Sequence, residues 1–377
     1  MQARLIKAIF MISIFCASVA HSDVKPVMDQ LVNELFILKP YIVYDEEFRD
    51  PKNNEVIKKS LNRMADLSRK INHDDKMKKS AFKISAKILT EQLQDVATIF
   101  ESGNKVYSLW TLKSTLNVCM SCHTQLPGVS THFSAANKLS KITNYFNEAE
   151  FLFTVKNFDE AMPMYSLAVK NYPTDMKAGD LEKVLLRKAY YYIRVKRNAL
   201  DLIASLKIDL ENKNLPLSHK KSVQDLIQAA GELKSESYPT FTSANEADLK
   251  AYVEKELKPI LSGDLGFLTD KNLITYLRIS SLLYQYIDQN PETPLLPDIL
   301  YWLAFCERRY TKNMYYSLPD LYLKQCINDF PKNPVAKKCY KEYEEITFVS
   351  FTGSSGIHVP SDVKSELSKM KKKVGLK

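Results

Sequence analysis

Leu109, Leu112, Leu116, Cys119 and His123 recur in a strict alternation of three and four residues. Side chains at that spacing share one face of an α-helix, so the segment describes a helix with a single inward stripe. Three earlier segments carry the same signature. Met28, Leu31, Leu35 and Leu38 define a helix over 25–43, and Ile57, Leu61, Met64 and Ile71 define one over 54–72. Phe82, Leu89, Val96 and Ile99 mark a third over 75–100, capped by Asp74-Asp75. The fourth starts at Asn104, after the Ser102-Gly103 break, and ends before Pro127-Gly128. Short connections after the second and third helices favour antiparallel neighbours, whereas 45–53 reads as a longer polar loop. Only nine of the 377 residues are glycine, so the chain reads as all-α, and its length allows more than one core.

A different pattern follows. Phe158, Ala161, Tyr165, Ala168 and Pro173, with Tyr145, Ala149 and Leu152 upstream, place small residues where two helices must approach and aromatics in the gaps. The stretch 145–173 resembles the second half of a tetratricopeptide repeat. One such unit cannot bury its own face, so neighbours must stack on it. Helical periodicity over 190–206, 274–291 and 300–331 supplies candidates with irregular spacing. The expected organisation is an N-terminal four-helix bundle over 23–130 and a tetratricopeptide-like α-solenoid over 140–345. A polar stretch at 235–245 interrupts the solenoid, and 346–377 reads as a cap and solvated tail ending in Lys371-Lys372-Lys373.

The first 20 residues have the layout of a secretion signal. Arg4 and Lys7 precede an apolar run over 8–19, and Ser18-Val19-Ala20 offers small residues for cleavage after Ala20. The run is short for a membrane span, which needs about 20 apolar residues. Bulky Phe15 before Cys16 argues against lipidation. The expectation is export, into the periplasm for a bacterial chain. A net charge of +9 without a basic block interleaved with aromatics disfavours nucleic acid. It is compatible with acidic partners or a membrane surface.

Beyond Cys16 there are five cysteines. Cys326 and Cys339 are symmetric about Lys332 and Asn333, inside the turn Phe330-Pro331-Lys332-Asn333-Pro334. Two antiparallel helices meeting there would hold the two side chains at similar heights, which makes this the expected disulfide. The alternative is that both are small apolar core residues.

Cys119-Met120-Ser121-Cys122-His123 carries the chemistry. Covalent attachment of haem needs two thiols one helical turn apart and an imidazole directly after the second. Zinc would want a second ligand pair, and Cys306, Cys326 and Cys339 show no paired spacing. A thioredoxin-like site would want a strand before the motif, and here a helical stripe leads into it. The reading is one covalent haem c, held by Cys119 and Cys122, with His123 as proximal iron ligand.

A haem motif at the end of the fourth helix resembles the four-helix cytochrome c-prime family, over about 105 residues. The resemblance implies a sixth iron position that is open or filled by a methionine of the first helix, where Met28 stands. Met28, Met64 and Met77 also read as core fillers, and His73 and His132 are further candidates. The departure from the family is that Thr124-Gln125-Leu126 stands where a basic residue is usual.

The leading expectation is an exported electron carrier that meets a redox partner protein and docks a further protein through its repeats. Two alternatives stand beside it: a haem-based binder or sensor of small gases, and a helical scaffold in which haem is structural. No G-x-S-x-G, H-E-x-x-H or phosphate-binding glycine loop occurs, so no enzyme is expected.

Overall fold

The computed structural model describes residues 24–73, 82–128, 144–233, 238–261, 270–310, 318–354 and 356–376. The stretch expected to be a secretion signal, 1–20, lies outside them. The fold is all-α: among the described residues there are sixteen α-helices and one two-stranded ribbon. None of these helices is long and apolar enough to cross a membrane.

The first core is built by α1 (Val24–Val43), α3 (Asn54–His73), α4 (Lys83–Glu101) and α5 (Lys105–His123), which pack in sequence order. Their inward stripes bury Leu35, Leu38, Leu61, Ile71, Leu93, Val96, Leu109 and Leu112. Asn104 caps α5 as expected, accepting from the Tyr107 amide at 3.2 Å. Gly103, at φ 87°, turns the chain from α4 into that cap in a conformation that favours glycine. The loop expected at 45–53 is more ordered than its polarity suggested. It forms a short α2 (Asp45–Arg49) and a 3₁₀ turn (Pro51–Asn53). The reason is Phe48, which is fully buried and meets Phe100 edge-on at 5.4 Å.

A second core starts at Met120 and Phe146 and runs almost to the last residue. Helices α6 (Tyr145–Thr154) and α7 (Phe158–Lys170) form a close antiparallel pair. Ala149, Phe153, Phe158, Ala161, Tyr165 and Ala168 are all completely buried between the pair and its neighbours. Then follow α8 (Ala178–Ala189), a π-helical turn (Tyr190–Val195), α9 (Ala199–Asp209) and α10 (Leu217–Leu233). The π turn closes with Lys196 N donating to the Tyr191 carbonyl at 2.8 Å, and Arg197 then adopts a left-handed φ of 54°. Helices α11 (Glu246–Leu261), α12 (Asp270–Gln289), α13 (Leu296–Tyr310), α14 (Leu318–Asp329) and α15 (Pro334–Ser350) complete the series.

Cys326 on α14 and Cys339 on α15 are joined by a disulfide with Cα atoms 6.4 Å apart. Phe351 leads into the ribbon β1 (Thr352–Gly353) and β2 (Gly356–Ile357). The segment after it departs from expectation. Instead of a solvated tail, Ser361–Lys373 forms α16, which buries Leu367 and Met370 in the second core, with Val374 following. The lysines of its last turn mask that short apolar stripe in the sequence, and they also favour the negative end of the helix dipole.

Candidate functional site

Cys119, Cys122 and His123 occupy the last turn of α5, and Thr124 closes it by donating from its amide and hydroxyl to the Met120 carbonyl at 3.1 and 3.0 Å. Consecutive residues on this turn face different cores. Cys119 borders the first and Met120 is buried in the second. The motif therefore lies at the seam between them.

Both cysteines are free and half-buried. Their sulfurs are withdrawn from solvent, and burial pushes both thiols up to about 12. At Cys122 the neighbouring Cys119 adds to the rise, while the Lys156 charge and the Ser85 hydroxyl oppose it. A thiol at that value stays protonated at neutral pH. A dithiol used for redox exchange is tuned the other way.

His123 is neutral for the same reason. Burial, helped by the Lys156 charge, holds its imidazole down to about 4, against a hydrogen bond to the Thr154 carbonyl. Its Nδ1 is buried and has no hydrogen-bond partner. A neutral imidazole carries one N–H and one lone pair. With the carbonyl taking the N–H, a lone pair is left unengaged in a buried setting. A metal-ligating histidine has that arrangement, one nitrogen donating to a carbonyl and the other available. The donor set thus fits haem: two reduced thiols a turn apart and an adjacent imidazole with a nitrogen to spare.

Four other residues define the surroundings. Ser85, at the start of α4, accepts from Gln125 Nε2 at 3.0 Å. Burial, above all, raises the hydroxyl of Tyr322 on α14, and Cys122 is the last of the groups that contribute to it. Met28 is half-buried on the rim of the first core, as are Val24, Val27 and Cys119. Met64, by contrast, is 2% exposed within that core and behaves as a filler. Met77, His132 and the His73 side chain lie outside the described residues. The fourth residue is Lys156, which sequence reasoning missed. It sits between α6 and α7 at φ 65°, and its Nζ lies 3.9 Å from where a Cβ on Gly128 would stand. Its positive charge acts on Cys122 and His123 from a different element of the chain. A non-periodic lysine in an inter-helix turn carries no signal of this by itself.

A cleft of about 770 Å³ opens beside the motif, between α1, α5, α6 and 173–183. Met120, Asn117, Trp110 and Phe151 line it, but Cys119, Cys122 and His123 do not. Among the described residues no three His, Cys, Asp or Glu side chains converge on a metal site. Cys306 of α13 is buried and takes no part in the Cys326–Cys339 disulfide. No protein-family model, curated protein or solved structure matches this chain.

Proposed function

We propose that this chain is an exported c-type cytochrome, in which Cys119 and Cys122 would hold one haem covalently and His123 would be a ligand to its iron. In this reading α1, α3, α4 and α5 form a four-helix bundle of the cytochrome c-prime kind. The helices from α6 onward form a tetratricopeptide-like solenoid that docks a partner protein. The observation that carries the reading is the buried Nδ1 of half-buried His123, which has no hydrogen-bond partner, directly after two cysteines that are not disulfide-bonded.

Bound there, haem supplies one-electron exchange with a redox partner. The protein's own residues do the rest. Cys119 and Cys122 would hold the group through their sulfurs, a role that requires both cysteines reduced, as they are here. Ser85 and Lys156 stand beside Cys122, and Lys156 offers a positive charge to acidic groups of the cofactor. Met28 is the candidate sixth ligand, since it rims the same core as Cys119. The apolar residues around it exclude water, which is one of the levers on a haem potential.

The test is the mass of the purified, denatured protein from a host competent in cytochrome maturation. The expected result is an increment of one haem that survives acid-acetone and disappears in Cys119→Ala/Cys122→Ala. A colourless product, or pigment stripped by acid-acetone, would end this reading.

A further inference from the structure

We infer that Arg197, Arg278 and the first turn of α9 form a binding site for a small oxyanion, best matched by a phosphate group. The site lies in the second core, away from the cysteine motif, and does not depend on haem.

A cavity of about 100 Å³ is lined by Arg197, Asn198, Leu200, Tyr238 and Arg278 among others. Both guanidinium groups lie over the Tyr238 ring, at 4.9 Å for Arg197 and 5.4 Å for Arg278. The Tyr238 hydroxyl donates to the Ile193 carbonyl at 2.6 Å, which fixes the ring between helices. Arg278 is buried, and Arg197 is half-buried.

Arg197 is the anomaly. Among the described residues its hydrogen bonds all go to Ser281, to the hydroxyl at 3.1 and 3.3 Å and to the carbonyl at 3.5 Å. These partners are neutral, so this half-buried cation has no carboxylate among its hydrogen-bond partners, and burial holds its pKa below the ordinary value. It also holds a left-handed φ of 54°, which is uncommon outside glycine, asparagine and aspartate. Such a conformation persists where the surroundings impose it.

The same cavity meets the start of an eleven-residue helix. Asn198 spends its side chain on the Asp201 amide at 3.1 Å. The amides of Ala199 and Leu200 come earlier, and the helix cannot satisfy them internally. Amides at a helix start attract oxyanions, and guanidinium groups bind them with two parallel hydrogen bonds. The acid nearest in sequence, Asp201, is held by Lys196 at 2.6 Å and does not line the cavity. Small-molecule sites start at about 300 Å³, so only one oxyanion or one phosphoryl head can enter here.

The ligand is either free inorganic phosphate or the phosphoryl head of a larger ester. Full-length protein is titrated with inorganic phosphate and, separately, with phosphoserine at matched ionic strength, followed by calorimetry and thermal shift. Saturable binding is expected for at least one of them. Equal affinity for both assigns the head of an ester, and binding of inorganic phosphate alone assigns the free ion. Arg197→Gln is expected to weaken binding about tenfold or more. Because that variant also loses bonds to Ser281, Leu200→Glu serves as the second variant. Leu200 is 56% exposed, so the change is tolerated, and its carboxylate repels the anion at the cavity mouth. No saturable binding of either probe by the parent, or equal binding by the parent and Leu200→Glu, overturns the assignment.

Discussion

Lys39 of α1 and Glu148 of α6 form an ion pair at 2.6 Å, with side chains only 12% and 7% exposed. Lys39 also lies over the Phe151 ring at 4.8 Å, and Phe151 belongs to the first core although it is a residue of α6. The two cores are therefore joined by a desolvated charge pair. Removing one partner of such a pair strands the other, so Glu148→Ala should cost about 3 kcal/mol of stability. Urea denaturation of Glu148→Ala, Lys39→Ala and the double variant checks this. Additive losses would show that the pair is not coupled.

Met28 separates electron transfer from gas binding within the proposed function. Met28→Leu keeps the volume and should leave the covalent haem increment unchanged. With Met28 as the sixth ligand, the ferrous variant binds carbon monoxide and the parent does not. Equal carbon monoxide spectra for both would mean an open iron position and a Met28 that serves only as packing.

Lys188 of α8 and Asp209 of α9 face each other at 2.6 and 2.7 Å, with side chains 0% and 4% exposed. Burial disfavours both charges, lowering the lysine pKa and raising that of the aspartate, while each charge opposes the shift of the other. Asp209→Asn alone should destabilise by about 3–5 kcal/mol, whereas Lys188→Met/Asp209→Leu should recover most of that loss. Thermal denaturation of the single and double variants measures it. A double variant no more stable than the single one contradicts the argument.

Glu246 ties the start of α11 to the turn before α13. It accepts from the Thr293 and Tyr286 hydroxyls, and these bonds hold its carboxyl below the ordinary 4.5. The charged form is favoured in the fold. Its contribution is therefore present above the unfolded pKa and is lost as pH falls below about 4.5. Urea midpoints of Glu246→Gln and the parent should differ most at about pH 6, and the gap should narrow steadily as pH falls below about 4.5. A constant gap would contradict it.

How much of this was legible depends on where each signal lies. The stripes ending in Leu112, Leu116 and Cys119 gave the helix and the register of the motif, because inward residues at three-four spacing have one geometric solution. The pairing of Cys326 with Cys339 was visible as symmetry about a proline-flanked turn. Ser85, Lys156 and Tyr322 were not visible. They reach the motif from distant segments, and local periodicity carries no information about which helix face meets another. Helix α16 was hidden for a different reason. Leu367 and Met370 form a stripe too short to stand out among lysines, and only the core waiting for it makes that stripe fold.

Tyr322, on whose hydroxyl Cys122 has a small influence, follows Cys122 by 200 positions in the chain. A chain made from its N-terminus thus presents the two thiols well before α14 exists. Both sulfurs are therefore open to chemistry in the growing chain before the burial they have in the finished fold is complete.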